Sequence, residues 1–352
     1  MASLPTTPST TVDPPAAPSP SAARRAWEGW PGRVLRLLIA ALPLYWLFRR
    51  LDWREVLHEA SAVGPAGIGL AFACVFGSVL IGAVRWGVML RAYGATELPP
   101  LSTMLRHNLV GLWFNLLPSG VAGDAVRGHR VRHHAGGLAT SYTVLFVERV
   151  SGLLGLCLIA GVSMLSPVSI RSDAVSWTLG FGLLGAAGLS AVVLLVPFVI
   201  ARRPSLRALV ERLPVLGPML VKIPPPRSLS GPLGSVLLSV LTQGALVVCV
   251  YFLLRPLSPI VTFGLCARVV PAIILVTYIP ITPGGLGQRE AAFTGLFGLA
   301  GVPGTMAVAA SLLFFAEIVA VSVLGGLCLA AERLTAARGL PWDRDARRTD
   351  QK

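Results

Sequence analysis

Residues 116–130 read LLPSGVAGDAVRGHR, and they follow directly on an apolar stretch of the kind that enters a membrane. Pro118, the glycines and Asp124 break a helix there and leave backbone groups unpaired. Lipid tolerates such backbone only where it is buried in protein or lines a cavity. The stretch is therefore either an ordinary helix-ending loop or part of a site. Its reading decides whether the segment before it crosses the membrane or turns back.

The surrounding composition is that of an integral membrane protein. Of 352 residues, 54% are hydrophobic and only 13% charged, whereas soluble domains carry roughly 25% charged residues. The mean hydropathy is +0.72. The net charge of +14 is spread between apolar segments rather than gathered in a basic soluble domain, which argues against a nucleic-acid partner. Arginines flanking membrane spans mark the cytoplasmic side and attract anionic headgroups. Cys74, Cys157, Cys249, Cys266 and Cys328 all lie in apolar runs without CxxC spacing. They read as small buried hydrophobes, not as a disulfide framework or zinc site.

Apolar stretches suited to helices fall near 34–48, 67–90, 104–118, 140–165, 176–200, 231–254, 260–281 and 305–330. The expected fold is an all-α polytopic membrane protein with about seven to eight transmembrane helices and one or two re-entrant broken segments. The segment 104–118 is short, carries Arg106, His107, Asn108 and Asn115, and ends on Pro118. It reads as a half-helix. Charge parity agrees, because the basic N-terminal flank and the basic loop 201–230 share the cytoplasmic side only if 104–118 does not cross. After three further long helices the C-terminal tail is expected on the other side, unless 288–303 also crosses. Residues 1–30 form a Pro/Ser/Thr-rich tail too polar to bury a core, without the architecture of a signal peptide. A helical membrane domain follows over 31–332, with halves 31–200 and 231–332 joined by the loop 201–230, and then a charged tail over 333–352.

A second break lies downstream in YIPITPGGLGQRE, residues 278–290. Pro118, Gly120, Gly123, Asp124 and Arg127 are matched there by Pro283, Gly284, Gly285, Gly287, Arg289 and Glu290. Each break has an apolar lead-in, a proline, small residues, and a carboxylate with an arginine close by. Paired interrupted segments in two halves point to a transporter's binding site, and suggest a two-half pseudo-repeat. A broken helix exposes N–H groups and a positive dipole end, which suit an anion such as phosphate. A plain interfacial turn in a glycine-rich chain is the competing reading.

NLLPSGVAGDAVR, then VERVSGLLGL, then PGGLGQREAAF together resemble the lysylphosphatidylglycerol synthase transmembrane, or flippase-like, family. The resemblance runs from the first helix to about residue 330. It places Asn115, Pro118, Gly120, Gly123, Asp124, Arg127, Glu148, Arg149, Pro283, Gly284, Gly285, Gly287 and Glu290 on characteristic positions. It implies movement of charged or polyisoprenoid lipids across the bilayer. PSGVAGD departs from the doubled glycine common after the proline, and LLFFAEIVAV lacks an arginine expected in place of an aromatic. Synthases of this kind append a large soluble domain. The short stretch after the last helix leaves no room for one, so the chain resembles the translocating half.

Several charges fall at membrane depth. Glu148 and Arg149 either snorkel at an interface or sit in a substrate path, with Glu148 compensating an arginine from a broken segment. Glu317 must be paired or protonated, and Arg268 is its natural partner. Arg85, nearer a helix end, is expected to snorkel. His129 and His133 share a helix face, but the flanking Arg130 and Arg132 disfavour a metal; a basic headgroup-binding surface fits better.

Three functions remain in view. The first is a translocator of phosphate-containing or charged lipid in the cytoplasmic membrane, without cofactor or metal. The second is a membrane partner of a separate lipid synthase. The third is a headgroup-modifying enzyme, against which stand the missing nucleotide loop and the missing Ser–His–Asp order.

Overall fold

The computed structural model describes residues 52–116, 122–164, 173–214, 216–278 and 287–337. The tail 1–30, the expected first span 34–48 and residues 338–352 lie outside them. Among the described residues all regular secondary structure is helical. Helices α1 (Trp53–Ala62), α2 (Gly64–Ala92), α3 (Leu101–Asn115), α4 (Ala122–Val131), α5 (Leu138–Ser163) and α6 (Asp173–Arg202) make up the first part. After short helices α7 (Arg207–Glu211) and α8 (Leu216–Lys222) come α9 (Ser230–Leu254), α10 (Phe263–Tyr278), α11 (Gln288–Leu299) and α12 (Gly304–Ala337).

Five of these are long and apolar enough to cross a membrane: α2, α5, α6 over Gly180–Arg202, α9, and α12 over Gly304–Thr335. The protein is a multi-pass membrane protein. Helix α3 has 15 residues, about 22 Å at 1.5 Å per residue, too short for a hydrocarbon core of about 30 Å. Helix α10 lies in the described part of the run 260–281, whose last residues 279–281 lie outside the described ones. Its described part has 16 residues. Helix α11, with 12 residues, is shorter still.

Both short helices turn back on themselves. Asn115 at the end of α3 accepts the Gly123 N–H at 3.0 Å, and Gly111 packs against the aliphatic stem of Arg127. Helices α3 and α4 therefore run antiparallel. Their contact is so close that a Cβ on Gly123 would overlap the Gly111 carbonyl. Gln288 at the start of α11 likewise donates to the Val276 carbonyl near the end of α10.

The two hairpins enter the bundle from opposite ends. Helices α2 and α9 are antiparallel: the Arg227 N–H reaches the Ala92 carbonyl at 2.8 Å, while Gly67 lies near Phe252 at the far end. The first hairpin starts and finishes at the Ala92 end, where Arg130 of α4 grips Glu332 near the end of α12. The second starts and finishes at the Gly64 end, where Thr305 at the start of α12 meets Glu55 of α1 at 3.5 Å. The end of α12 is thereby brought to the same end of the bundle as the basic loop. The C-terminal tail itself, whose side was left open between the two placements, lies outside the described residues.

The basic segment 201–230 is folded against the bundle. Leu220 and Ile223 are buried in a cluster with Trp86, Met89, Leu90 and Val131. A larger apolar core joins α2, α9, α10, α11 and α12 through Val75, Val250, Val270, Phe293 and Val308. Small residues let these helices approach: Gly325 of α12 sits on the Leu109 backbone of α3, the usual packing device where lipid supplies no hydrophobic drive.

Candidate functional site

A charge cluster lies beside the first hairpin. Arg127 on α4 reaches Glu148 on α5 at 3.0 Å and Asp124 one turn behind it at 3.4 Å. Arg85 on α2 holds the other oxygen of Glu148 at 2.9 Å and donates to Ser239 on α9 at 3.0 Å. Arg149 pairs with Asp124 from the rim, where its side chain is 53% exposed against 4% for Glu148. Arg127 also lies over the Trp86 ring, 4.6 Å from its centre.

Three guanidinium groups face two carboxylates here, so the cluster carries one uncompensated positive charge. The buried Nε of Arg127 has no hydrogen-bond partner. A buried unspent donor on a net-positive cluster is suited to one more anionic oxygen, with the bidentate geometry that arginine offers phosphate. Arg85 was expected to snorkel. It turns inward instead, because seven residues before the end of α2, about 10 Å along the axis, Glu148 is nearer than water.

The second cluster is closed. Glu290, 1% exposed, accepts the Gly287 N–H at 2.6 Å and caps α11 from its first turn. Arg289 holds the other oxygen of Glu290 at 2.5 Å, bonds Ser311 of α12 at 3.1 Å and lies over Phe315. Gly287 has φ of 78°, a left-handed conformation that suits glycine and starts α11 at a sharp angle.

The expected site residues thus divide. Asp124, Arg127, Glu148 and Arg149 come together in one network. Asn115 and Gly123 close its hairpin, and Gly287, Arg289 and Glu290 form the separate closed cluster. Pro118, Gly120, Pro283, Gly284 and Gly285 lie outside the described residues. The N–H groups of Gly123 and Gly287 are already donated to Asn115 and Glu290, so neither is available to an anion. The Arg268–Glu317 pairing is not formed. Helix α10 packs on α5, and Arg268 donates to the Ser163 carbonyl at 2.7 Å, away from α12.

Sequence reading missed a polar stripe on α9. Ser235, Ser239 and Gln243 are all buried and recur every four residues, a spacing that puts them on one helix face. Ser235 shares a hydrogen bond of 2.8 Å with Ser151 of α5. Gln243 reaches the Tyr278 hydroxyl at 3.4 Å, at the last described residue before the second break. The four-residue spacing within an apolar helix was the available signal.

Short helical hairpins inserted from opposite ends of a helical bundle, with a buried charge cluster beside the first, define a polytopic helical membrane protein. Residues 33–326 match the family model of the lysylphosphatidylglycerol synthase TM region, and the chain belongs to that family. No curated protein and no solved structure is matched by the chain.

Proposed function

We propose that the protein translocates a phosphate-containing lipid across the cytoplasmic membrane, its headgroup passing between the two broken hairpins. The observation that carries this reading is the buried cluster of Arg85, Arg127 and Arg149 on Asp124 and Glu148, with its single excess positive charge and the unspent Arg127 Nε. A phosphodiester brings one negative charge and unshared oxygens, and so completes the cluster. The hairpins enter from opposite ends, which gives the headgroup polar surroundings from either leaflet while the tails stay in lipid. The end of the bundle bearing Arg130, Arg132, Arg203, Lys222 and Arg227 is the cytoplasmic one by the positive-inside rule.

The test is a proteoliposome assay with lipids labelled on an acyl chain and an impermeant reductant that bleaches the outer leaflet. The protein is expected to speed exchange of phosphate lipids, and Arg127→Gln to abolish it while the variant still elutes as a folded species. Exchange no faster than in protein-free vesicles, for every lipid class including polyprenyl phosphates, overturns the proposal.

A further inference from the structure

Glu317 is the only charged residue of helix α12 between Gly304 and Ala331. Thr305 of this helix meets Glu55 at one end of the bundle, and Glu332 meets Arg130 at the other. Glu317 stands about 18 and 22 Å from Thr305 and Glu332 along the axis, at 1.5 Å per residue, so it lies near the middle of a spanning helix. It is 5% exposed. Among the described residues no hydrogen bond or ion pair reaches it. Arg268, the cation the sequence offered, turns to the Ser163 carbonyl instead.

Helix α12 packs on α1, α2, α3, α9 and α11, and their charges are engaged or placed elsewhere. Cys249 of α9 is within electrostatic reach of Glu317 and of Cys74 on α2, and neither thiol carries positive charge. Arg85 of α2 is held by Glu148, and Arg289 of α11 by Glu290 and Ser311. Arg106 and His107 of α3 precede Leu109, which meets Gly325, about 12 Å beyond Glu317 along α12. Arg54, Glu55, His58 and Glu59 belong to α1, which meets α12 at its start, at Thr305. Arg255, just after α9, bonds the Pro259 and Val261 carbonyls.

A carboxylate at this depth without a cation is far costlier than a carboxylic acid. A proton neutralises it without moving any other group. We infer that Glu317 is a proton-binding site: it holds a proton in this conformation and releases it when the bundle rearranges to bring water or a cation to it. The step is a carboxylic acid giving a carboxylate and one proton to water, so the site passes from neutral to a single negative charge. This rests on the translocation reading above and names the ion exchanged during it. A glutamine of nearly the same size would be neutral in every state, and the carboxyl differs from it in being able to ionise. The proton thus acts as a ligand of one conformation, and its release favours the other.

Difference infrared spectra of the full chain in proteoliposomes, unmodified against Glu317→Gln, read the carbonyl stretch of a protonated carboxyl directly. The band is expected at about pH 6 and should fade toward about pH 9, by about tenfold per pH unit above its midpoint. Should Glu317→Gln fail to fold, Glu317→Asp, which moves the band, serves as the reference. Exchange of acyl-labelled phosphatidylglycerol and polyprenyl phosphate is followed over the same range. Its rate should vary with pH in the unmodified protein and in Cys249→Ala, and lose that dependence in Glu317→Gln. A band absent at every pH, or constant across the range, overturns the proton site, as does the same pH–rate profile in Glu317→Gln. If the unmodified protein exchanges no lipid, the translocation reading fails. A band that titrates then still supports the proton site, and one that does not rejects it. The band decides in the same way if Glu317→Gln is folded but inactive.

Discussion

Arg127, on the short helix after the first break, and Glu148, deep in a long membrane helix, meet at 3.0 Å. The contact ties the hairpin to the bundle and leaves Glu148 bridging two arginines, since Arg85 holds its other oxygen at 2.9 Å. Removing one partner of a buried ion pair strands the other, which typically costs about 3–5 kcal/mol. Glu148→Gln strands two and is expected at the upper end of that range, seen as a large fall in the unfolding midpoint in detergent. Arg127→Gln should cost less, because Arg85 still satisfies Glu148. A smaller loss for Glu148→Gln than for Arg127→Gln contradicts the bridging role.

The first hairpin depends on how closely α3 and α4 approach. Gly123→Ala pushes a methyl into the Gly111 carbonyl, and overpacking of this kind costs about 1–3 kcal/mol. Gly188→Ala on α6 meets nothing within 4 Å and should leave the midpoint unchanged or slightly raised. Equal midpoints for the two variants would contradict the close packing.

Asn115 accepts the Gly123 N–H across the break. Asn115→Ala removes that acceptor from a partly buried donor, a loss of about 1 kcal/mol. Asn115→Asp retains an acceptor oxygen and should recover most of it. Hydrogen exchange at Gly123 is the direct readout, and protection unchanged in Asn115→Ala would show that the bond contributes nothing.

At the second hairpin, Glu290→Gln can keep the cap on the Gly287 N–H, since glutamine also serves in a capping box. It leaves Arg289 buried with its charge unbalanced, at a cost of about 3–5 kcal/mol. Pairing it with Arg289→Met removes the stranded charge and should restore much of the stability. A double variant no more stable than Glu290→Gln alone would show that the charge balance of this pair is unimportant.

Helix α4 and the end of α12 are joined by Arg130 on Glu332, at 3.0 and 2.8 Å. Both side chains remain about a fifth exposed, so the coupling energy should be about 1 kcal/mol and weaken with salt. Arg130→Glu is expected to destabilise and Arg130→Glu with Glu332→Arg to recover. Cysteines at these two positions should cross-link in membranes. Failure to do so argues that α4 and the end of α12 lie at different ends of the bundle.

Much of this architecture was legible in the chain. Apolar runs marked the long helices because hydrocarbon demands satisfied backbone over about 20 residues. Proline and glycine followed the end of α3. The shortness of α3 was readable from Arg106, His107 and Asn108 within it.

The amino-acid sequence by itself determined that this is a helical membrane protein of its family, with two breaks, each carrying a carboxylate and an arginine. Only the tertiary structure decided what those charges do. Arg85 lies 63 positions from Glu148 and Arg130 lies 202 from Glu332, and their pairing depends on the depth and rotation of separate helices. Those are set by close glycine contacts and buried packing across the bundle, which no local pattern contains. The same packing set Asp124 and Arg127 in a net-positive cluster with Arg85, Glu148 and Arg149, and Arg289 with Glu290 in a self-neutralised pair, although the two stretches look alike in the chain.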